Sequence, residues 1–274
     1  MSAYPWTTFF ALLAAGVLGA LAVMPYALSL NPERNAKLPL SRPALIAVSV
    51  LQSTILIAIS AGIGLLAAGA VGLHTPYIDS LLYGTAAVPT LLAILPLCVV
   101  MGVIGALLTV GVEKYVFRPR LPEALAKAEA RIAVWKGFLA SFYGAIVEEI
   151  MVRLLLMSVF AWLISRVWHT AAGLPTVGGY WAAIVLAALV FGLGHLPATK
   201  AITPLTGIVV LRALLLNGIG GVIFGWLFWQ YGLAAAMLAH FTMDIIMHVI
   251  VPALSHPAPH TGTTSTTASH QAAR

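Results

Sequence analysis

Charge is scarce in this 274-residue chain: Asp, Glu, Lys and Arg make up 8% of it, against 61% hydrophobic residues and a mean hydropathy of +1.01. Soluble domains carry about 25% charged residues, so an aqueous globular protein is excluded. Cysteine is nearly absent as well. Cys98 stands alone in an apolar run, which excludes an intrachain disulfide framework. There is no Gly-x-Ser-x-Gly turn and no His-Glu-x-x-His pair, which removes the serine-hydrolase elbow and the zincin signature. The first apolar stretch lacks a basic leader and runs on past the small residues Ala20-Leu21-Ala22, so it reads as a span and not as a cleaved signal. The net charge of +6 is a topology signal in such a chain and not a nucleic-acid footprint.

What is present is apolar sequence in lengths that match a bilayer, which needs roughly 20 residues per helix. Seven segments qualify: Thr8–Leu30, Pro43–Leu73, Pro89–Val112, Gly137–Trp168, the short Trp181–Leu196, Gly207–Trp229 and Leu233–Leu254. The expectation is an all-α, polytopic transmembrane bundle of seven spans, or eight if the second or fourth segment breaks. Residues 1–254 form one integral membrane domain, and 255–274, rich in Thr, His, Ala and Ser, a disordered tail. His256, His260 and His270 in that tail are too loosely spaced to suggest a metal site. Twelve of the 14 basic residues fall in the first, third and fifth loops and the tail, with Arg166 opposite and Arg153 inside a span. The excess of positive charge marks the cytoplasmic side, so the N-terminus is expected outside and the C-terminus in the cytoplasm. The third loop, from Leu121 to Trp135, places Leu125, Ala128, Ile132 and Trp135 on one face and predicts an interfacial helix.

With the loop charges set aside, few ionisable groups remain within spans: Glu148, Glu149 and Arg153 in the fourth, His195 ending the fifth, and His240, Asp244 and His248 in the seventh. A charge at mid-bilayer costs about 2.5–3.5 kcal/mol before pairing, so such residues default to function. At 3.6 residues per turn, Glu149 and Arg153 are four apart and can pair, whereas Glu148 is turned about 100° from its neighbour. Phe191 and His195, and His240 and Asp244, repeat the four-residue step, with His248 one step further. A carboxylate beside an imidazole can activate a water and return its proton to a leaving amine, while a second imidazole binds the developing oxyanion. Three classes of function fit. The first is a hydrolase using glutamate-activated water with no cofactor. The second is a non-enzymatic membrane protein that relays protons or binds a partner. The third is a zinc hydrolase with Glu148, His195, His240 and Asp244 as the available ligands, although nothing in the sequence requires the metal.

These residues resemble the motifs of a known family, the CAAX-processing endoproteases and bacteriocin-processing enzymes, or CPBP family of intramembrane proteases. Two glutamates, three residues and an arginine are matched by Glu148, Glu149 and Arg153; a phenylalanine with a histidine four on by Phe191 and His195; a histidine with Asn or Asp four on by His240 and Asp244. The resemblance covers about Gly137 to Val251 and implies proteolysis of a membrane-associated protein or peptide, prenylated in one branch. It implies Glu148 as general base with His195, His240 and its partner at the oxyanion, and Glu149, Arg153 and Phe191 in support. Asp244 departs from the asparagine of the prenyl-processing branch, because an ionised aspartate cannot donate to an oxyanion. Gly192, Gly194, Gly218, Gly220, Gly221 and Gly225 crowd the fifth and sixth spans. They are expected to let those backbones close up and to carry His195 towards Glu148.

Overall fold

The structure is a computed structural model and describes residues 4–30, 39–84, 87–122, 125 and 133–255. Most of the expected interfacial helix and the whole expected tail beyond Ser255 lie outside the described residues. Among those described, every regular element is helical, apart from an isolated bridge between His169 and Pro175. In chain order these are α1 (Trp6–Ala22), α2 (Met24–Leu30), α3 (Arg42–Ala70), α4 (Pro76–Tyr83) and α5 (Ala87–Val112). Then come α6 (134–164), α7 (Val177–Gly194), α8 (Leu196–Lys200), α9 (Gly207–Tyr231) and α10 (233–255).

Five stretches are long and apolar enough to cross a membrane: Arg42–Ala70, Leu91–Arg120, Val177–Lys200, Gly207–Tyr231 and Leu233–Leu254. A sixth is added if α1 and α2, bent by 42°, count as one crossing. The chain is thus an all-helical integral membrane protein, with fewer spans evident by length and composition than the seven or eight expected. The difference lies in α6. It is helical without a break over 134–164, most of the fourth expected segment, but Glu148, Glu149 and Arg153 make it too charged to qualify on composition. The second segment does not break: α3 is continuous for 29 residues. Ser41 caps it by accepting from the Ala44 amide at 3.4 Å, and Pro43 lies in its first turn. The short fifth segment starts four residues earlier than hydropathy suggested, because Thr176 caps it by accepting from the Gly179 amide at 3.2 Å.

Lipid is as apolar as leucine, so helices here associate through close backbone approach and fit. Helix α3 turns Ile57, Ala61, Gly64, Leu65 and Ala68 inward and leaves Ile55, Ile59, Ile63 and Leu66 exposed. Between α7 and α9, a Cβ on Gly221 would lie 2.5 Å from that of Ala188, and one on Gly225 2.9 Å from Ile184. Gly192 sits 2.9 Å by the same measure from the backbone of Leu214, whereas Gly194 and Gly218 face open space. Half of the glycine-rich stretch therefore sets the helix spacing. Helices α9 and α10 are joined through Gly232 alone, at φ +86°. A side chain there would be strained and would collide with Pro76 at 2.5 Å.

Polar ties mark the two ends of the bundle. At one, Thr8 and Thr75 donate to the two oxygens of Asp79 at 2.6 and 2.8 Å, and the Tyr180 hydroxyl donates to the Val71 carbonyl at 2.5 Å. At the other, Lys136 donates to Ser29 at 2.5 Å and Arg212 pairs with Glu113 at 2.7 Å.

Candidate active site

Helix α6 does not keep the 3.6-residue period assumed from the sequence. It widens to π geometry over Tyr143–Glu148 and again over Ile150–Met157, and α10 does the same over Ile246–Ile250. Single-turn π insertions concentrate at functional sites because they re-aim side chains at a local cost. Here they contain Glu148 and Arg153 on α6 and His248 on α10.

Arg153 and Glu149 do pair, at 3.0 Å, and both are fully buried. The guanidinium is held on three other sides. One nitrogen donates to the carbonyls of Gly220 and Gly221 on α9 at 3.2 and 3.3 Å. The rings of Phe191 and Phe224 lie 5.4 and 5.3 Å from its carbon, close enough for cation–π attraction. Glu149 also reaches across to α10, where the Nδ1–H of His240 donates to its Oε1 at 2.7 Å. A carboxylate oxygen already facing an arginine accepts and does not donate, so this contact fixes the proton on Nδ1. The His240 ring is further clamped by Phe224, stacked at 4.6 Å with 20° between planes.

The other His240 nitrogen, Nε2, faces Glu148 at 3.9 Å and Asp244 at 3.6 Å. Glu148 has no arginine of its own, and its side chain is 19% exposed where that of Glu149 is sealed. His195 donates through Nδ1 to the Phe191 carbonyl at 2.9 Å, which leaves Nε2 as an acceptor, and its ring lies within electrostatic reach of Glu148. Room for this cluster exists because residue 144 is glycine: a Cβ there would run into Asp244 and stand 3.1 Å from His240 Nε2.

The structure therefore gathers Glu148, Glu149, Arg153, His240 and Asp244 into one cluster, with Phe191 against its arginine. His195 borders the cluster without a direct bond to it. The side chain bonded to His240 is Glu149, while Asp244, four residues on, lies 3.6 Å from the other ring nitrogen. Phe224 and Gly144 were not singled out in the sequence. A phenylalanine in an apolar span and a glycine among small residues give no polar signal, and only the fold shows what they touch. Among the described residues, no three His, Cys, Asp or Glu side chains are arranged to hold a metal ion.

The fold and the cluster together define a helical membrane protein with carboxylates and imidazoles converging inside the bundle. Residues 130–246 match the family model for Rce1-like type II CAAX prenyl endopeptidases, and Glu148, Glu149, Arg153, Phe191, His195, His240 and Asp244 all fall within that segment. No curated protein and no solved structure matches the chain.

Proposed function

We propose that the protein is a glutamate-dependent intramembrane endopeptidase that hydrolyses a peptide bond of a membrane-associated protein or peptide, with CAAX-type substrates first among the candidates. The observation that supports this most directly is the division of labour between adjacent glutamates. Glu149 is sealed and committed to Arg153 and His240, whereas Glu148 is partly open, faces the imidazole of His240 and forms no direct ion pair with Arg153. Glu148 takes a proton from a water, and the resulting hydroxide adds to the carbonyl carbon. Surrounded by Glu148, Glu149 and Asp244, His240 acts as the imidazolium: its Nδ1–H stays with Glu149, and its second proton, on Nε2, donates to the oxyanion. The proton held by Glu148 then passes to the leaving amine, and the C–N bond breaks. His195, with Nε2 as acceptor, orients the attacking water beside Glu148.

The seven-span reading of the sequence also belongs here, with α1–α2 and α6 as crossings, the N-terminus outside and the C-terminus in the cytoplasm. The deciding experiment is cleavage of quenched-fluorescent peptides, farnesylated CAAX and plain membrane-spanning, by purified protein in detergent. Turnover lost in Glu148→Gln with the thermal unfolding profile unchanged is the expected result. Turnover retained by Glu148→Gln overturns the assignment of the base. No turnover on any of the peptides counts for the proton-relay or binding class.

A further inference from the structure

The site holds an uneven set of charges, and one residue outside the proposed machinery corrects it. Three carboxylates, Glu148, Glu149 and Asp244, converge in the bundle, and Arg153 answers only Glu149. His240 gives its Nδ1–H to Glu149 and has a single N–H left, with Glu148 at 3.9 Å and Asp244 at 3.6 Å both facing it. Two acceptors thus compete for the one donor that the reaction needs.

His248 lies on the other side of Asp244, its Nε2 3.8 Å from the same Oδ1. It is four residues further along α10, in the π-helical turn Ile246–Ile250, two residues beyond the segment matched by the family model. Its backbone is fixed: the carbonyl comes so close to Gly137 on α6 that a Cβ there would clash. Its ring meets the edge of Tyr26 on α2 at 6.2 Å and is 34% exposed, so it exchanges protons with solvent more readily than Asp244, at 12%. The other titratable groups facing this corner are Glu148, Glu149 and Tyr143 on α6, His240 on α10 and His195 on α7. Lys136, in the first turn of α6, donates to Ser29.

We propose that His248 is a positioning residue for Asp244: its imidazolium draws the carboxylate off His240 and leaves the His240 Nε2–H for the substrate carbonyl oxygen. This inference rests on the protease reading above. Two opposite charges less than 4 Å apart in a poorly screened site attract far more strongly than in water. Asp244 then lies between two imidazoles and is balanced by the outer one. Remove the charge at 248, and Asp244 turns to His240 and captures its proton donor.

The test uses the full chain and a farnesylated CAAX peptide. His248→Gln, close in size and neutral, is expected to lower kcat about tenfold with KM unchanged, the scale of coupling within one network. His248→Lys, which restores a positive charge, is expected to recover most of that loss. In an Asp244→Asn background, where no carboxylate competes, His248→Gln is expected to change kcat less than twofold. An equal loss in both backgrounds, or no recovery with lysine, overturns the proposal. Wild type, His248→Gln, Asp244→Asn and the double variant are also compared by thermal unfolding in detergent without substrate. Non-additive Tm changes support the His248–Asp244 pairing even if no peptide is cleaved, and strictly additive changes overturn it.

Discussion

Arg153 is the residue whose loss should cost the fold most. Breaking a buried pair by removing one partner leaves an uncompensated charge and costs about 3–5 kcal/mol. Arg153→Met strands Glu149, releases the carbonyls of Gly220 and Gly221 and empties the space between Phe191 and Phe224. A large fall in thermal stability is expected, and Glu149→Gln in the same chain should return part of it. No such fall is expected from Glu148→Gln, which breaks no direct ion pair with arginine. Gly144→Ala makes the complementary point. Its methyl intrudes on Asp244 and His240 at the surface of the cluster, so it should depress turnover by an order of magnitude or more while the helices stay folded by circular dichroism. The Glu149–Arg153 pair was legible in the sequence because both ends of an i,i+4 contact lie on one helix. The Glu149–His240 bond was not, because its ends are 91 residues apart and nothing local encodes which helix faces which.

At the level of helices, the contact between α7 and α9 sets where His195 stands relative to Glu148. Gly221 and Gly225 permit that contact, and Gly218 has no part in it. Gly221→Leu should push α7 away, lower Tm and abolish turnover together. Gly218→Ala should leave turnover unchanged and raise Tm slightly, since alanine is the better helix former by about 1 kcal/mol. Hydropathy placed these helices to within a few residues, and composition alone pointed to close packing along this stretch. It could not separate glycines that touch a neighbour from those that face open space, because that depends on rotation about the helix axis. The π-helical turns escaped for a related reason. Assuming 3.6 residues per turn is right for most of a span and fails where side chains have been re-aimed.

At the level of the whole molecule, the proposed seven-span arrangement with the N-terminus outside makes a direct prediction. A cysteine in place of Ala172, in the loop between α6 and α7, should be labelled by an impermeant thiol reagent added from outside, and one in place of Lys200 only from the cytoplasmic side. Cys98 is fully buried, so the native thiol should contribute little background. Labelling at both positions from one side would remove α7 as a crossing.

The i,i+4 pairing of Glu149 with Arg153 also bears on how the chain is made. His240 is translated after α6, so if α6 crosses the bilayer as proposed, Glu149 enters it without that partner. A salt bridge closed within a single helical turn lets α6 arrive as a nearly neutral rod, with only Glu148 uncompensated. Its cost is that of one charge, about 2.5–3.5 kcal/mol, within what the surrounding leucines, isoleucines and valines can offset. The hairpin of α9 and α10, joined through one glycine, can then bring Phe224 and His240 to the waiting carboxylates in a single step. In this order of events the cluster is closed from the C-terminal side, and Glu149 meets His240 only once α10 has followed α6 into place.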